Sequence, residues 1–334
     1  MLLNILLSLL LILVAGGLIF LALQPATFRV ERKRVIPVTP QVAFDGVRNF
    51  RTWPQWSPWL MHEPDASLDF SDQSGQEGSW YSWDGKLVGA GEMTHEQLSP
   101  AAHIDCRLQF LRPMRSVSRV RFRFQPAQDG GTQVAWCMEG RMPFLLRWMS
   151  HKMEGWIGRD FDIGLIQLAM QLGDQRDPMV LEFPGLVQVE AATFITRRYE
   201  GSLQAMPAAM RTGYPELMQA VEQAGLSIEG MPVAIYHSIN PETGQVCCDM
   251  GMPVVEARGM PGFEIVKLPA RRYMRTRLRG EYTHLELAWH AAFAQLRMRR
   301  QRFRRGLPRI ERYVNSPEGL QGLAVETWLD IPVR

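Results

Sequence analysis

The sequence predicts an α+β protein, with two globular modules standing behind one apolar helix. Three observations carry that expectation. An uncharged apolar run opens the chain, and a series of strand-like runs is then closed by one long amphipathic helix. The last third uses one pattern twice: MPVAIYHSINPETGQVCCDMGMPV from Met231 to Val254, then LPRIERYVNSPEGLQGLAVETWLDIPVR from Leu307 to Arg334. At 334 residues the chain is about twice the usual domain size, so two domains are expected. With 46% hydrophobic and 21% charged residues it can fill ordinary cores, which excludes general disorder.

From Ile5 to Leu23 the only polar side chain is Ser8. That run is long enough to cross a bilayer as a helix. A cleaved signal peptide fits less well, because a basic n-region and a small-residue cleavage site are both missing. Arg29, Arg32, Lys33 and Arg34 follow the run, and no Lys or Arg precedes it. The positive-inside bias then makes residues 1–27 a single-pass inner-membrane anchor, with the rest of the chain in the cytoplasm.

The first module is expected over residues 28–175. FRVERKRVIPV alternates as a half-buried strand does, and Thr39-Pro40 is a helix-start signal. NFRTWPQWSPW carries Trp53, Trp56 and Trp59, and Pro54 and Pro58 exclude a continuous helix there. Those rings either close over a core or line a cavity. Strand-like runs follow at Ser79–Trp83, Leu87–Met93, His103–Phe110, Ser116–Phe124 and Thr132–Glu139. In SVSRVRFRF, period two puts Val120, Phe122 and Phe124 on one side and Arg119, Arg121 and Arg123 on the other. Asp129-Gly130-Gly131 marks a hairpin. Met149 to Leu172 closes the module as a helix with an apolar face, Glu154, Asp160 and Asp162 falling on its solvated side.

A polar linker with Gly and Pro at its ends, Gly173 to Pro178, leads to the second module over residues 179–334. LVQVEAATFITRRYEG reads as a strand or hairpin. Met206 to Ala224 is helical, with Gly225 placed to end it. FEIVKLPARRYMRTRLRGEY and the stretch from His284 to Arg300 repeat that order. In each pass of the pattern a Pro (Pro232, Pro308) precedes a Tyr (Tyr236, Tyr313), then an Asn-containing turn (Asn240-Pro241, Asn315-Ser316-Pro317), then a strand ending in hydrophobic-Pro-Val. Two similar halves leave a cleft between them, a common place for small ligands.

Four Cys, two of them adjacent, form neither a disulfide framework nor a CxxC motif. Seven His occur without ligand spacing, so neither a metal nor another cofactor is expected. Between Lys267 and Arg312 the chain holds thirteen Arg and one Lys against Glu281, Glu286 and Glu311. The densest part, Arg297 to Arg312, suits an anionic lipid surface or a solvated helix end. With no helix-turn-helix, zinc finger or RNP signature nearby, nucleic acid is the least favoured partner.

RVIPVTPQVAFDGVRNFRTWPQWSPW, TQVAWCMEG and the closing IGRDFDIGLIQL helix resemble the SRPBCC (START/polyketide-cyclase-like) superfamily. That resemblance implies a helix-grip fold, an antiparallel sheet wrapped on the long helix around an apolar cavity. GEYTHLELAW, PRIERYVNSP and TWLDIPV resemble the GyrI-like (AraC effector-binding, SOUL-related) family, a duplicated strand-helix-strand-strand domain. It implies an aromatic cleft for small hydrophobic, amphipathic or cationic ligands.

That family often carries an acid four positions before the strand-ending Pro. The place holds Asp249 in the first repeat and Trp328 in the second. Glu326, two residues upstream of Trp328, shares its face by strand periodicity. It either neutralises a cationic ligand, or is solvated or pairs with a nearby arginine. Tyr236, Tyr282, Trp289, Tyr313, Glu326 and Trp328 are therefore the expected ligand-binding residues, with Tyr236 and Tyr313 taken as corresponding positions. No catalytic constellation stands out. The expectation is a membrane-anchored small-molecule binder that senses or sequesters its ligand; the alternative is a hydrolase or cyclase acting on small hydrophobic substrates.

Overall fold

Two antiparallel sheets organise the chain in this computed structural model, which describes residues 2–128, 130–240, 243–315 and 319–334. Each sheet belongs to one of two units, Met1–Gln175 and Arg176–Arg334. Asp129, Pro241, Ser316 and Pro317, each assigned to a turn on sequence grounds, lie outside the described residues.

The first unit opens with α1 (Leu2–Leu23), a helix long and apolar enough to cross a membrane, its side chains exposed from Asn4 to Phe20. Then come β1 (Thr27–Ile36), α2 (Pro40–Arg48), β2 (Ser67–Phe70), β3 (Trp80–Asp84), β4 (Ala90–Ser99), β5 (His103–Arg112), β6 (Ser116–Pro126), β7 (Thr132–Arg141) and α3 (Ser150–Gln171). The sheet order is β1-β7-β6-β5-β4-β3-β2, and α3 packs on β1. Thr39 caps α2 by accepting from the Val42 N–H at 3.4 Å, and the proline at N1 has no N–H to leave unpaired. On β6, Val120, Phe122 and Phe124 are buried and the three arginines face outward.

The tryptophan-rich stretch forms a 3-10 turn over Phe50–Gln55 with Pro54 inside it. Trp53 and Trp56 are fully buried, and Trp53 donates to the Val47 carbonyl at 2.7 Å. Trp136 stacks on Phe161 of α3 at 4.1 Å between ring centroids. These rings occupy the space between sheet and helix, so Trp53 and Trp56 are core residues. Asp160 and Asp162 are not purely solvated: Asp160 accepts from the Trp59 indole at 3.2 Å, and Asp162 pairs with Arg32 at 3.1 Å. The short edge strand β2 has no counterpart in the sequence reading, since four half-exposed residues leave too little alternation to detect.

The second unit contains β8 (Met179–Val189), β9 (Ala192–Ser202), α4 (Met206–Gln223), β10 (Val233–Asn240), β11 (Gln245–Val254), β12 (Glu264–Leu268), β13 (Arg271–Gly280), α5 (Leu285–Met298), β14 (Arg309–Tyr313) and β15 (Glu326–Pro332). Its strands run β12-β9-β11-β10-β14-β15-β13-β8, so β10 and β14 meet at the centre. Helix α4 packs on β9 and β11, and α5 on β13, β15 and β8, leaving the central pair between them. Gly225 ends α4 with φ +67, a conformation that costs glycine little, and the Leu226 N–H closes the turn on the Val221 carbonyl at 3.1 Å.

Candidate functional site

Residue 311 of the central strand pair is a buried carboxylate. Glu311 on β14 is only 2% exposed. One of its oxygens accepts from the hydroxyls of Tyr236 at 2.9 Å and Tyr313 at 2.8 Å, and the other from the Trp289 indole at 2.6 Å. All three donors are neutral. Burial holds the Glu311 carboxyl above the usual carboxylate range; these hydrogen bonds and the charge of Arg309 offset part of that shift.

Each donor is placed by its own element. Tyr236 sits on β10, whose residue Ala234 pairs with Glu311. Tyr313 lies two residues along β14, on the same face as Glu311. Trp289 projects from α5 and meets Tyr236 edge to face at 6.3 Å. Tyr282 and Tyr214 pack against Tyr313 at 5.5 and 5.6 Å. The half-buried Met206 and Met210 of α4 complete the rim, with sulfurs 3.9 Å from the Tyr236 hydroxyl and 3.8 Å from that of Tyr313.

The pairing of β10 with β14 shows how the two halves correspond. Ile235 pairs with Ile310, and Tyr236 with Arg309. An axis through the isoleucine pair exchanges the halves, mapping Tyr236 onto Glu311 and His237 onto Arg312. The flanking strands agree. Asp249 lies between Ile235 and Arg198, and Asp330 between Ile310 and Arg275.

These two aspartates point to the opposite face of the sheet from Glu311, and both are fully buried. Asp249 is held by Arg198 at 2.8 Å and His237 at 2.6 Å. Asp330 is held by Arg275 and Arg312, each at 2.7 Å. Burial alone would raise the Asp249 pKa, but bonds from Arg198 and His237 outweigh it and hold the group below its usual value.

The second unit is thus a single sheet carrying two helices, with matched halves and aromatic rings from both around one carboxylate. Residues 184–332 match the GyrI-like small molecule binding domain. The second unit is a GyrI-like domain. Residues 27–173 match the polyketide cyclase/dehydrase and lipid transport family, the SRPBCC assignment of the first unit. No curated protein matches the chain.

Solved structures similar to parts of it include protein MLL2253 from Mesorhizobium loti, 17% identical over 45% of this chain and 98% of that one, with a TM-score of 0.34. Protein SA2116 from Staphylococcus aureus is 12% identical over 44% and 93%, at 0.35. SAV2435, solved bound to tetraphenylphosphonium, is 12% identical over 46% and 94%, at 0.35.

Within the GyrI-like domain, four of the six expected site residues gather around Glu311: Tyr236, Trp289 and Tyr313 bond it, and Tyr282 packs on Tyr313. Glu326 and Trp328 do not join them. They share a face, as strand periodicity requires, but it is the face that carries Asp330. There Glu326 accepts from the Trp328 indole at 2.6 Å, and Arg275 and Arg277 lie over the Trp328 ring at 4.3 and 5.1 Å.

Two expected correspondences are also corrected. Tyr236 matches Glu311, not Tyr313. The two hydrophobic-Pro-Val landmarks stand two residues out of step, because Pro253 follows Asp249 by four positions and Pro332 follows Asp330 by two. The acid in the second repeat is therefore Asp330. Glu311 itself was legible at one point: it stands two residues before Tyr313, and period two puts both on one face.

Proposed function

We propose that the GyrI-like domain binds a hydrophobic cation, with Glu311 as its counter-charge and Tyr236, Tyr313, Trp289 and Tyr282 as its aromatic walls. The observation that carries this reading is a buried carboxylate whose three hydrogen-bond donors are all neutral. Such a group favours an incoming positive charge, and aromatic faces add cation–π attraction of about 0.5–2 kcal/mol each. Met206, Met210 and Tyr214 are half-buried, and flexible methionine side chains are suited to move aside for a ligand. On this reading the chain senses or sequesters such ligands while held at the inner membrane by α1, its globular units in the cytoplasm. The arginines exposed after α5 would rest against anionic lipid.

Titration calorimetry of the chain lacking residues 1–26 with tetraphenylphosphonium, and with neutral triphenylphosphine oxide, tests the binding. The cation should bind one to one and the neutral compound far more weakly. Equal binding of both, or cation binding untouched by Glu311→Gln, would remove this function.

A further inference from the structure

One end of the first unit's sheet carries an apolar and basic surface that neither the fold nor the Glu311 site uses. Thr27 at the start of β1 pairs with Arg141 at the end of β7, and the β5–β6 hairpin turns at the same end, where Phe110 pairs with Ser116. The chain leaves β7 through a 3-10 turn, Phe144–Met149, that packs beside α1. Two further contacts hold this corner to the helix end. The Met142 N–H donates to the Ala26 carbonyl at 2.9 Å, and the His151 ring bonds the Gln24 side chain at 2.9 Å.

The side chains gathered here are ones a soluble surface normally avoids. Leu145 is 69% exposed and Val117 56%, and Met114, Phe144 and Trp148 are exposed as well. Exposed apolar residues of this size in one place mark a contact surface. Basic groups stand among them, with the Arg147 guanidinium over the Phe144 ring at 5.2 Å and the Lys152 ammonium over the Trp148 ring at 5.3 Å. Neither Arg141–Lys152 nor Phe110–Val117 contains an acid. Aromatic rings beside Lys and Arg, next to the end of an apolar helix, are the composition of a bilayer interface.

We propose that this corner is seated in the headgroup region of the bilayer that α1 enters. Met114, Val117, Phe144, Leu145 and Trp148 dip toward the acyl boundary, and Arg115, Arg147 and Lys152 face anionic lipid. This rests on α1 spanning the membrane. Arg112 of the hairpin is paired with Asp84, but Arg115, Arg147 and Lys152 leave the corner with an excess of positive charge. That excess, together with covalent continuity with α1, selects a lipid surface over a protein partner. The first unit is thereby docked on the membrane rather than swinging from it.

The test uses the full chain with Cys247→Ser, because Cys247 is the only cysteine that is not buried. It is reconstituted in vesicles of phosphatidylcholine with phosphatidylglycerol. Single spin labels at Ile12→Cys, Met114→Cys, Leu145→Cys and Val42→Cys are read for collisions with oxygen and with a water-soluble nickel chelate. The oxygen-to-nickel ratio at Met114 and Leu145 should be several-fold above that at Val42, an exposed residue of α2. A lipid-like Ile12 with aqueous Met114 and Leu145 overturns the docking and leaves the anchor standing. An aqueous Ile12 overturns the anchor reading, and the docking with it. Broadening at Leu145 that disappears on dilution with unlabelled chain would assign the corner to a second copy and overturn the docking too.

Discussion

Tyr236 and Glu311 occupy equivalent places in the two halves of the GyrI-like domain, and the hydroxyl of one donates to the carboxylate of the other at 2.9 Å. The pseudo-twofold is broken here, where a carboxylate is buried with only neutral groups bonded to it. A duplicated scaffold has in this way produced a site with a single acid.

Glu311→Gln keeps the shape of the site and removes its charge. Lipophilic-cation affinity should fall by roughly 2–4 kcal/mol, about 30-fold or more, as for loss of one partner of a buried charge pair. The unliganded melting temperature should hold or rise, because a desolvated carboxylate is gone. Calorimetry and thermal melts together check both halves of this prediction.

The pKa of Glu311 is raised by burial, so its deprotonation costs the folded state more than the unfolded one. Its contribution should therefore make the unliganded protein less stable as pH rises from the ordinary carboxylate value of 4.5 through its folded value. A bound cation favours the ionised form, so affinity should climb with pH over that range and then level off. Binding measured across pH in two buffers of different ionisation heat should show proton release there, and Glu311→Gln should show none.

The paired aspartates on the other face differ in how deeply their cations lie. Arg275 and Arg312 are each 11% exposed, whereas Arg198 is 42% and His237 36% exposed. Asp330→Asn leaves two nearly buried guanidinium groups unneutralised and should cost about 3–5 kcal/mol. Asp249→Asn should cost clearly less, because water reaches its partners. Denaturant unfolding of the two variants gives the order, and equal losses would refute the argument.

His95 tests the first unit. It is stacked on Phe50 at 3.9 Å, bonded to the Arg48 carbonyl at 2.9 Å, and burial lowers its pKa from 6.5 to about 4. Between those values the unfolded chain takes up a proton that the native state refuses. Stability is thus complete above pH 6.5 and falls on acidification, by on the order of 3 kcal/mol over the window. A His95→Gln variant should lose most of that slope in unfolding experiments run from pH 7 to 4.

The arginine run divides in the structure. Arg312 is drawn into the Asp330 pair and Arg309 is half-buried on the Glu311 face, whereas Arg302, Arg304 and Arg305 are exposed. Replacing Arg304 and Arg305 with Glu should weaken retention of the chain lacking residues 1–26 on anionic vesicles, at about 1 kcal/mol per basic residue removed. Salt-sensitive retention on DNA with no preference for anionic vesicles would reassign the run to nucleic acid.

Much of this architecture could be read from local pattern. The alternation in SVSRVRFRF, the Thr39-Pro40 helix start and the apolar run of α1 depend on neighbours in sequence, and each is found where the pattern puts it. The site was legible only in part. Tyr236, Tyr282, Trp289 and Tyr313 stand out as aromatic landmarks, but Glu311 reads as one acid in an arginine-rich stretch until α5 brings Trp289 over it. For Glu326 and Trp328 periodicity correctly implies a common face. Which face meets the helices depends on the pairing of β15 with β14, a non-local fact that spacing cannot supply.

The broken symmetry at Tyr236 and Glu311 also bears on stoichiometry and pose. Two matched halves with two acids would accept a dication, or one ligand in either of two orientations related by the axis. With tyrosine on one side and glutamate on the other, the proposed ligand site would have a polarity. One monocation would lie with its charge toward β14 and its apolar bulk toward β10 and α4, and the flipped pose would leave the carboxylate unanswered.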